Sequence, residues 1–270
     1  MNTEGTIAGL RATLEPLRAG STIGLVPTMG ALHSGHEALF HRARAENDVV
    51  VASTFVNPAQ FGPGEDFERY PRDGERDARL AEQWGADHLF IPTTDEMYPE
   101  GFQTWVDVED VAEGLEGAAR PGHFRGVATV CLKLFLIVRP DRAYFGQKDA
   151  QQAALVERMC HDLALELEIR VVSTVREEDG LAASSRNAYL SAREREAARA
   201  LPRALAAGAE AHREGRDAGE AARAVLAAEP LLVPEYAEVA RLNGRVYLVA
   251  AVRAGRTRLI DNVVLEGAPE

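Results

Sequence analysis

Lysine is almost missing from this chain: of 30 basic residues, 28 are arginine and only Lys133 and Lys148 are lysine. Arginine fills nearly every position that needs a positive charge, so each lysine asks for a reason of its own. Cysteine is as scarce. Cys131 and Cys160 give neither a disulfide framework nor a metal-ligand spacing, and Cys131 lies in an apolar stretch that suits a small core residue. No apolar run reaches the ~18–20 residues of a membrane helix, and the longest, around Val127 to Val138, is interrupted by Lys133. The first residues hold no apolar signal-peptide core. A basic excess is missing too: 42 acidic residues leave a net charge of −12. That balance argues against a dedicated nucleic-acid binder but leaves room for a local anion pocket. These absences lead to an expected reduced, cytoplasmic location, with neither nucleic acid nor membrane as a partner.

What remains is ordinary for a globular protein. The 270 residues are 46% hydrophobic and 27% charged, enough for one large domain or two modest ones. Up to about residue 175, short β-branched runs alternate with helical patterns, which predicts a parallel sheet wrapped by helices. Strands are expected at Thr22 to Val26, Asp48 to Phe55, His88 to Ile91, Arg142 to Phe145 and Glu168 to Val172, with a further short one at Thr104 to Val108. Helices are expected at Gly35 to Ala45, Asp73 to Trp84, Ala128 to Val138 and Ala150 to Leu163.

Composition shifts after Asn187. Between Ala192 and Ala228, 15 of 37 residues are alanine. Ser191 and Glu194 form a capping box that starts a helix, Pro202 is expected to kink it, and Gly215 and Gly219 divide it. From Tyr236 to Val264 the pattern alternates in the strand manner, with turn signals at Asn243-Gly244 and Ala254-Gly255. The expected fold class is α/β: a Rossmann-like parallel sheet with helices on both faces over residues 1–176. A small α+β lid domain is expected over residues 177–270.

Leu25 to His36, LVPTMGALHSGH, carries the strongest chemical signal. A strand ends, a glycine-containing turn follows and a helix opens. Ser34 with Glu37 reads as a capping box, placing His36 at the second helical position and His33 just before the cap. A helix N-terminus offers free N–H groups and a positive dipole end to phosphate. It also favours neutral imidazoles, which can donate hydrogen bonds to phosphate oxygens. A zinc site is the other use of two histidines, but no third ligand has suitable spacing.

T-M-G-A-L-H-x-G-H resembles the signature of the H-x-G-H nucleotidyltransferase superfamily, which spans cytidylyltransferases, adenylyltransferases and class I aminoacyl-tRNA synthetases. Three further segments follow expected strands: FVNPAQF from Phe55 to Phe61, FGQKDAQQ from Phe145 to Gln152, and SSRN from Ser184 to Asn187. Ligands of open parallel sheets bind beyond the carboxyl ends of strands, so these segments should converge on one crevice. Together the four motifs resemble the pantothenate synthetase family, and RLIDNVVLE near the end is similar to the family's closing strand.

The resemblance implies a two-step reaction. Pantoate attacks the α-phosphorus of ATP to give pantoyl adenylate and pyrophosphate, and β-alanine then displaces AMP. It implies His36, His33 and Lys148 as catalytic. Pro27, Thr28, Met29, Gly30, Gly146, Asp149, Val175, Ala183, Ser184, Ser185 and Arg186 would join them around ATP. Gln60, Gln152 and Asn57 would hold pantoate and β-alanine. Mg²⁺ would accompany the ATP, and the chain would form a homodimer. Arg120, in an R-P-G-H-F run, is a candidate for an anion, and Asp77 for Mg²⁺ without being assigned as a ligand.

Three positions depart from the family's pattern: Gln147 stands where glutamate is usual, Ala150 where an aromatic is usual, and Ala183 where leucine or methionine is usual. Two other readings compete with a ligase. One is a nucleotidyltransferase that leaves the nucleotide on its product. The other is a non-catalytic nucleotide binder, against which His36 and Lys148 speak.

Overall fold

The computed structural model describes residues 1–267. The chain divides into two compact units, one of Met1–Phe145 with Gln151–Val172 and one of Gly146–Ala150 with Ser173 onward. The division falls four residues before the expected one. The Gly146–Ala150 segment, expected in the first domain, groups with the second.

The first unit is built on β1 (Asn2–Glu4), α1 (Ile7–Leu14), β2 (Ile23–Thr28), α2 (Ser34–Glu46), β3 (Val49–Thr54) and α3 (Gly74–Gln83). After these come β4 (His88–Phe90), α4 (Thr94–Met97), α5 (Leu115–Ala119), α6 (His123–Val138), β5 (Arg142–Gly146), α7 (Ala150–Asp162) and β6 (Glu168–Val172). The sheet order is β1-β4-β3-β2-β5-β6, with parallel pairing of β1–β4, β4–β3, β3–β2 and β2–β5. Strand alternation feeds two cores. Ile23, Leu25, Val49 and Val51 face a cluster with α1 and α6, while Val26, Val50 and Ala52 face one with α2 and Trp84. Both faces are covered, which is why these strands are near-continuous apolar runs.

The order reverses between β2 and β5, so the sheet has a switch point there. In such sheets ligands gather beyond the strand ends at that point. The chain leaving β2 is the T-M-G-A-L-H segment.

Three differences from the sequence pattern have local causes. No strand forms at Thr104 to Val108; the Val106 N–H is taken by Thr129 Oγ1 at 3.0 Å, so a helix side chain replaces a strand partner. Helix α6 begins five residues earlier than expected, at His123, because Gly126 is a packing glycine and not a breaker. A Cβ on Gly126 would stand 2.3 Å from the Ala59 carbonyl oxygen. The short edge strand β1 carries no apolar alternation and was not expected.

The second unit holds α8 (Ala192–Ala198), α9 (Ala200–Arg213), α10 (Ala218–Ala227), β7 (Leu232–Leu242), β8 (Arg245–Ala254) and β9 (Thr257–Glu266). Ser191 and Glu194 form the expected capping box. The helix breaks at Arg199, ahead of Pro202, which occupies the third position of α9, where its missing N–H costs no helical bond. Gly215 ends α9 with φ +73, whereas Gly219 lies inside α10, capped by Asp217. The three strands form an antiparallel sheet β7-β8-β9, and alanines pack the helices onto it. Gly208 permits this approach: a Cβ there would stand 2.2 Å from Leu248 Cδ2.

Candidate active site

The T-M-G-A-L-H turn of the first unit is held open by strain and by one carboxylate. Gly30 (φ +79) and Ala31 (φ +50) are both left-handed, which is costly for alanine. Asp77 on α3 compensates. It is 1% exposed and accepts the Ala31 and Leu32 N–H groups at 2.8 and 2.9 Å. Asp77 is therefore not on a solvated face; its oxygens shape the turn. Thr28 adds a brace, donating to Ser53 O at 2.8 Å and accepting the Gly30 N–H at 3.1 Å.

The cap of α2 differs from the expected one. His33, not Ser34, is the N-cap, and His36 is the third helical residue. His33 Nδ1 accepts the Gly35 N–H at 3.1 Å, and His36 Nδ1 accepts the His33 N–H at 3.3 Å. The two rings lie 4.1 Å apart between centroids. A nitrogen that accepts from a backbone N–H carries no proton, so in each neutral ring the proton sits on Nε2. The cap thus fixes the tautomer of both histidines and makes each Nε2 a donor.

Gln60 lies in the 3₁₀ turn Pro58–Gln60 and is 7% exposed. Its Nε2 meets Met29 Sδ at 3.2 Å, and its Oε1 accepts from Asn57 Nδ2 at 2.9 Å. Asn57 also donates to Gly126 O and accepts from the Tyr98 hydroxyl at 2.8 Å. Both polar atoms of Asn57 are engaged within the protein, so it orients Gln60. Gln152 is half-buried in the first turn of α7. Its neighbour Gln151 is turned inward, accepting the Glu116 N–H at 3.0 Å.

Behind Gln60 stands a charged brace. Arg120 forks onto Glu65 at 2.8 and 2.7 Å, so this guanidinium is paired and not an open anion receptor. His123 Nδ1 lies 2.9 Å from the Gln60 carbonyl, and its Nε2 lies 3.0 Å from Arg120 Nη1. An Arg donor facing Nε2 requires a neutral ring. Burial, followed by the Arg120 charge, lowers the His123 pKa to about 4. The unfolded chain takes up this proton near the ordinary 6.5, so stability is full above that value and is lost as pH falls toward 4. The expected loss between pH 7 and pH 5 is about 2 kcal/mol from this group. Urea unfolding at the two pH values measures it, and His123→Gln should flatten the slope.

In the second unit, the Gln147–Asp149 turn carries Lys148, 19% exposed, with Nζ 3.6 Å from Asp149 Oδ2. Val175 O accepts the Ala183 N–H at 2.9 Å, closing a short hairpin. That hairpin delivers Ser184, whose Oγ accepts the Arg186 N–H at 3.3 Å and caps the 3₁₀ turn Ser185–Tyr189. Asn187 donates to Glu177 Oε1 at 2.6 Å and to Ala182 O at 3.0 Å, fixing the S-S-R-N segment from behind.

A family model for pantoate-β-alanine ligase matches residues 2–264. The chain belongs to that family. A pantothenate synthetase of Pelotomaculum thermopropionicum is 53% identical over 96% of this chain and 97% of its own length. One from Roseiflexus sp. is 55% identical over 97% and 98%. The crystal structure of pantothenate synthetase from Thermus thermophilus superposes with a TM-score of 0.94 at 49% identity, covering 99% of this chain and 100% of that one. A pantoate-β-alanine ligase from Francisella tularensis, complexed with β-γ ATP and β-alanine, superposes with a TM-score of 0.85 at 34% identity, over the full length of both chains. The six-stranded sheet with a small three-stranded sheet unit is the fold of these ligases.

Behind this candidate site, Tyr98 and Gly126 carry no sequence signal, and Asp77 stands out in the sequence only as a candidate for Mg²⁺, not as a support of the turn. Asp77, Tyr98 and Gly126 act on turns 40 or more residues away in the chain. Lys133, unexplained by the motifs, places Nζ 4.7 Å from the Phe102 ring centroid and 5.6 Å from that of Tyr98. Burial lowers its pKa, and the ring faces supply the attraction that water would. Both cysteines are buried, and burial pushes each thiol up to about 12.

Proposed function

We propose that this chain condenses (R)-pantoate with β-alanine, driven by ATP, through a pantoyl adenylate. A pantoate carboxylate oxygen bonds to the α-phosphorus as the bond to pyrophosphate breaks. The β-alanine amine then bonds to the acyl carbon, AMP leaves, and the nitrogen loses a proton. No covalent enzyme intermediate is required, so catalysis is positioning and charge stabilisation.

The observation that carries this reading is the His33–His36 cap. Two Nε2–H donors stand at the N-terminus of α2, within a chain that belongs to the ligase family along residues 2–264. In this proposal His36 donates to the α-phosphate oxygens as charge builds, and His33 assists. Lys148 supplies a compact positive charge to the same phosphates. Pro27, Thr28, Met29 and Gly30 border the nucleotide, as do Gly146, Asp149, Val175, Ala183, Ser184, Ser185 and Arg186. Gln60 and Gln152 hold pantoate, and Gln60 borders β-alanine. Asn57 serves by holding the Gln60 amide in one orientation.

Among the described residues, no group of three or more His, Cys, Asp or Glu side chains is placed to hold a metal ion. Mg²⁺ is proposed only as a companion of ATP, bound by phosphate oxygens and water, an arrangement that needs no protein cage. A homodimer and a cytoplasmic location complete the proposal, and sedimentation or sizing reads the first of these.

The deciding assay follows AMP and pyrophosphate separately, with pantoate present and β-alanine added second. Pyrophosphate should appear first, and AMP release should require the amine. Pyrophosphate without amine-dependent AMP would instead favour a nucleotidyltransferase that keeps the nucleotide on its product.

A further inference from the structure

Two adjacent side chains of β9, Asp261 and Asn262, are buried and polar, and the reaction above gives neither a role. Asn262 uses its whole amide. Its two Nδ2 hydrogens go to Gln147 O at 2.8 Å and Lys148 O at 2.9 Å, and its Oδ1 accepts from Gln147 Nε2 at 3.3 Å. Asp261 takes the other side. It accepts from Arg176 Nη1 and Nη2 at 2.8 and 3.2 Å, and its Oδ1 also accepts the Asn262 N–H at 2.8 Å. Arg176 in turn donates to Gly180 O at 3.0 Å and pairs with Ala182 across the hairpin that leads into Ser184.

One dipeptide therefore grips two separate segments, and both belong to the same unit as itself. One is the turn that carries Lys148, and the other is the hairpin that delivers Ser184, Ser185 and Arg186. We infer that Asp261 and Asn262 are positioning residues for adenylate formation, fixing the Lys148 turn and the Val175–Ala183 hairpin relative to each other. The inference rests on the proposed ATP chemistry of those segments.

The chemistry of the grip is specific. Two carbonyl oxygens face Asn262, so only a side chain with two donors on one atom satisfies them. Aspartate has the same shape but presents an oxygen to both carbonyls. Gln147 completes the pair by donating from Nε2 to Asn262 Oδ1.

A misplacement of about 1 Å at a reacting centre can cost about 10²-fold in rate. The test measures pantoate-dependent ATP–pyrophosphate exchange in the full-length protein, with kcat and the KM for ATP resolved. Asn262→Ala should lower kcat about 10²-fold and leave pantoate affinity unchanged, because the residues proposed to hold pantoate lie in the other unit. The double variant Asn262→Ala/Lys148→Ala should be no slower than Lys148→Ala alone, within about twofold, since Asn262 acts through Lys148. A single variant within about twofold of wild type, or losses that multiply in the double variant, overturns the inference. Asn262→Asp, which keeps the volume, should reproduce the kinetic loss with a cooperative thermal transition intact. If neither variant at 262 folds, the residue is a folding determinant and the inference fails. Wild-type protein that shows no pantoate-dependent exchange refutes the ligase reading itself, an outcome read before any variant is made.

Discussion

Asp77→Ala is expected to destabilise the protein by about 3–4 kcal/mol and to remove most adenylation activity in the fraction that still folds. The size follows from what the carboxylate does. It is 1% exposed, and each oxygen accepts a separate backbone N–H, from Ala31 and from Leu32. Hydrogen bonds to a charged acceptor contribute about 1.5–3 kcal/mol each, and losing the acceptor leaves the Leu32 N–H buried without it. The turn would also lose what holds two consecutive left-handed residues, Gly30 and Ala31. Since His33 follows this turn directly, the effect reaches the helix cap and the proposed phosphate donors. Asp77→Asn is the informative companion. Its single acceptor oxygen can satisfy one N–H while its amide hydrogens oppose the other, so it should recover little of the loss. Denaturant unfolding measures the first effect and ATP–pyrophosphate exchange the second. An Asp77→Ala protein with wild-type stability would remove this account of the turn.

Asp77 also marks where sequence reading stops. The strands were legible because Ile23 to Val26 and Val49 to Ala52 are buried on both sheet faces, and double burial writes itself as an unbroken apolar run. The motif residues were legible through their order along the chain. The supports behind them were not. Asp77 sits in a helix crowded with charge, where its neighbours Glu75 and Arg79 are exposed and it alone turns inward. Nothing in its local spacing distinguishes it, because its partners lie about 45 residues earlier. Asn262 is the same case over more than a hundred residues. The cap of α2 misled for a different reason. S-x-x-E at Ser34 and Glu37 is a sound local signal, but His33 and His36 offer the same reciprocal bonds one residue earlier. Helix α6 starts ahead of Ala128 and runs through Gly126, although a glycine inside a helix is usually a cost. Here the cost is offset by the close approach of α6 to the turn that holds Gln60.

His36→Ala should lower the rate of adenylate formation about 10²–10³-fold, with a far smaller effect on folding. Two separate contributions are removed. The ring's Nδ1 is an acceptor for the His33 N–H, a capping bond whose loss costs about 1 kcal/mol of stability. The ring's Nε2–H is the proposed donor to charge developing on the α-phosphate, and donors of this kind contribute about 10²–10³-fold. The two can be pulled apart. His33→Ala removes the other capping bond, from the Gly35 N–H, and should cost a similar stability. Activity lost through capping alone would follow the stability lost in each variant, whereas a lost donor slows the step beyond its stability cost. If donation at the α-phosphate matters, His36→Ala is much slower at equal stability, and His36→Gln, which carries an amide donor near the lost Nε2, recovers part of the rate. Single-turnover formation of pantoyl adenylate isolates the step from β-alanine attack. A near-wild-type rate for His36→Ala in that measurement would sink the assigned role, whatever the stability of the variant.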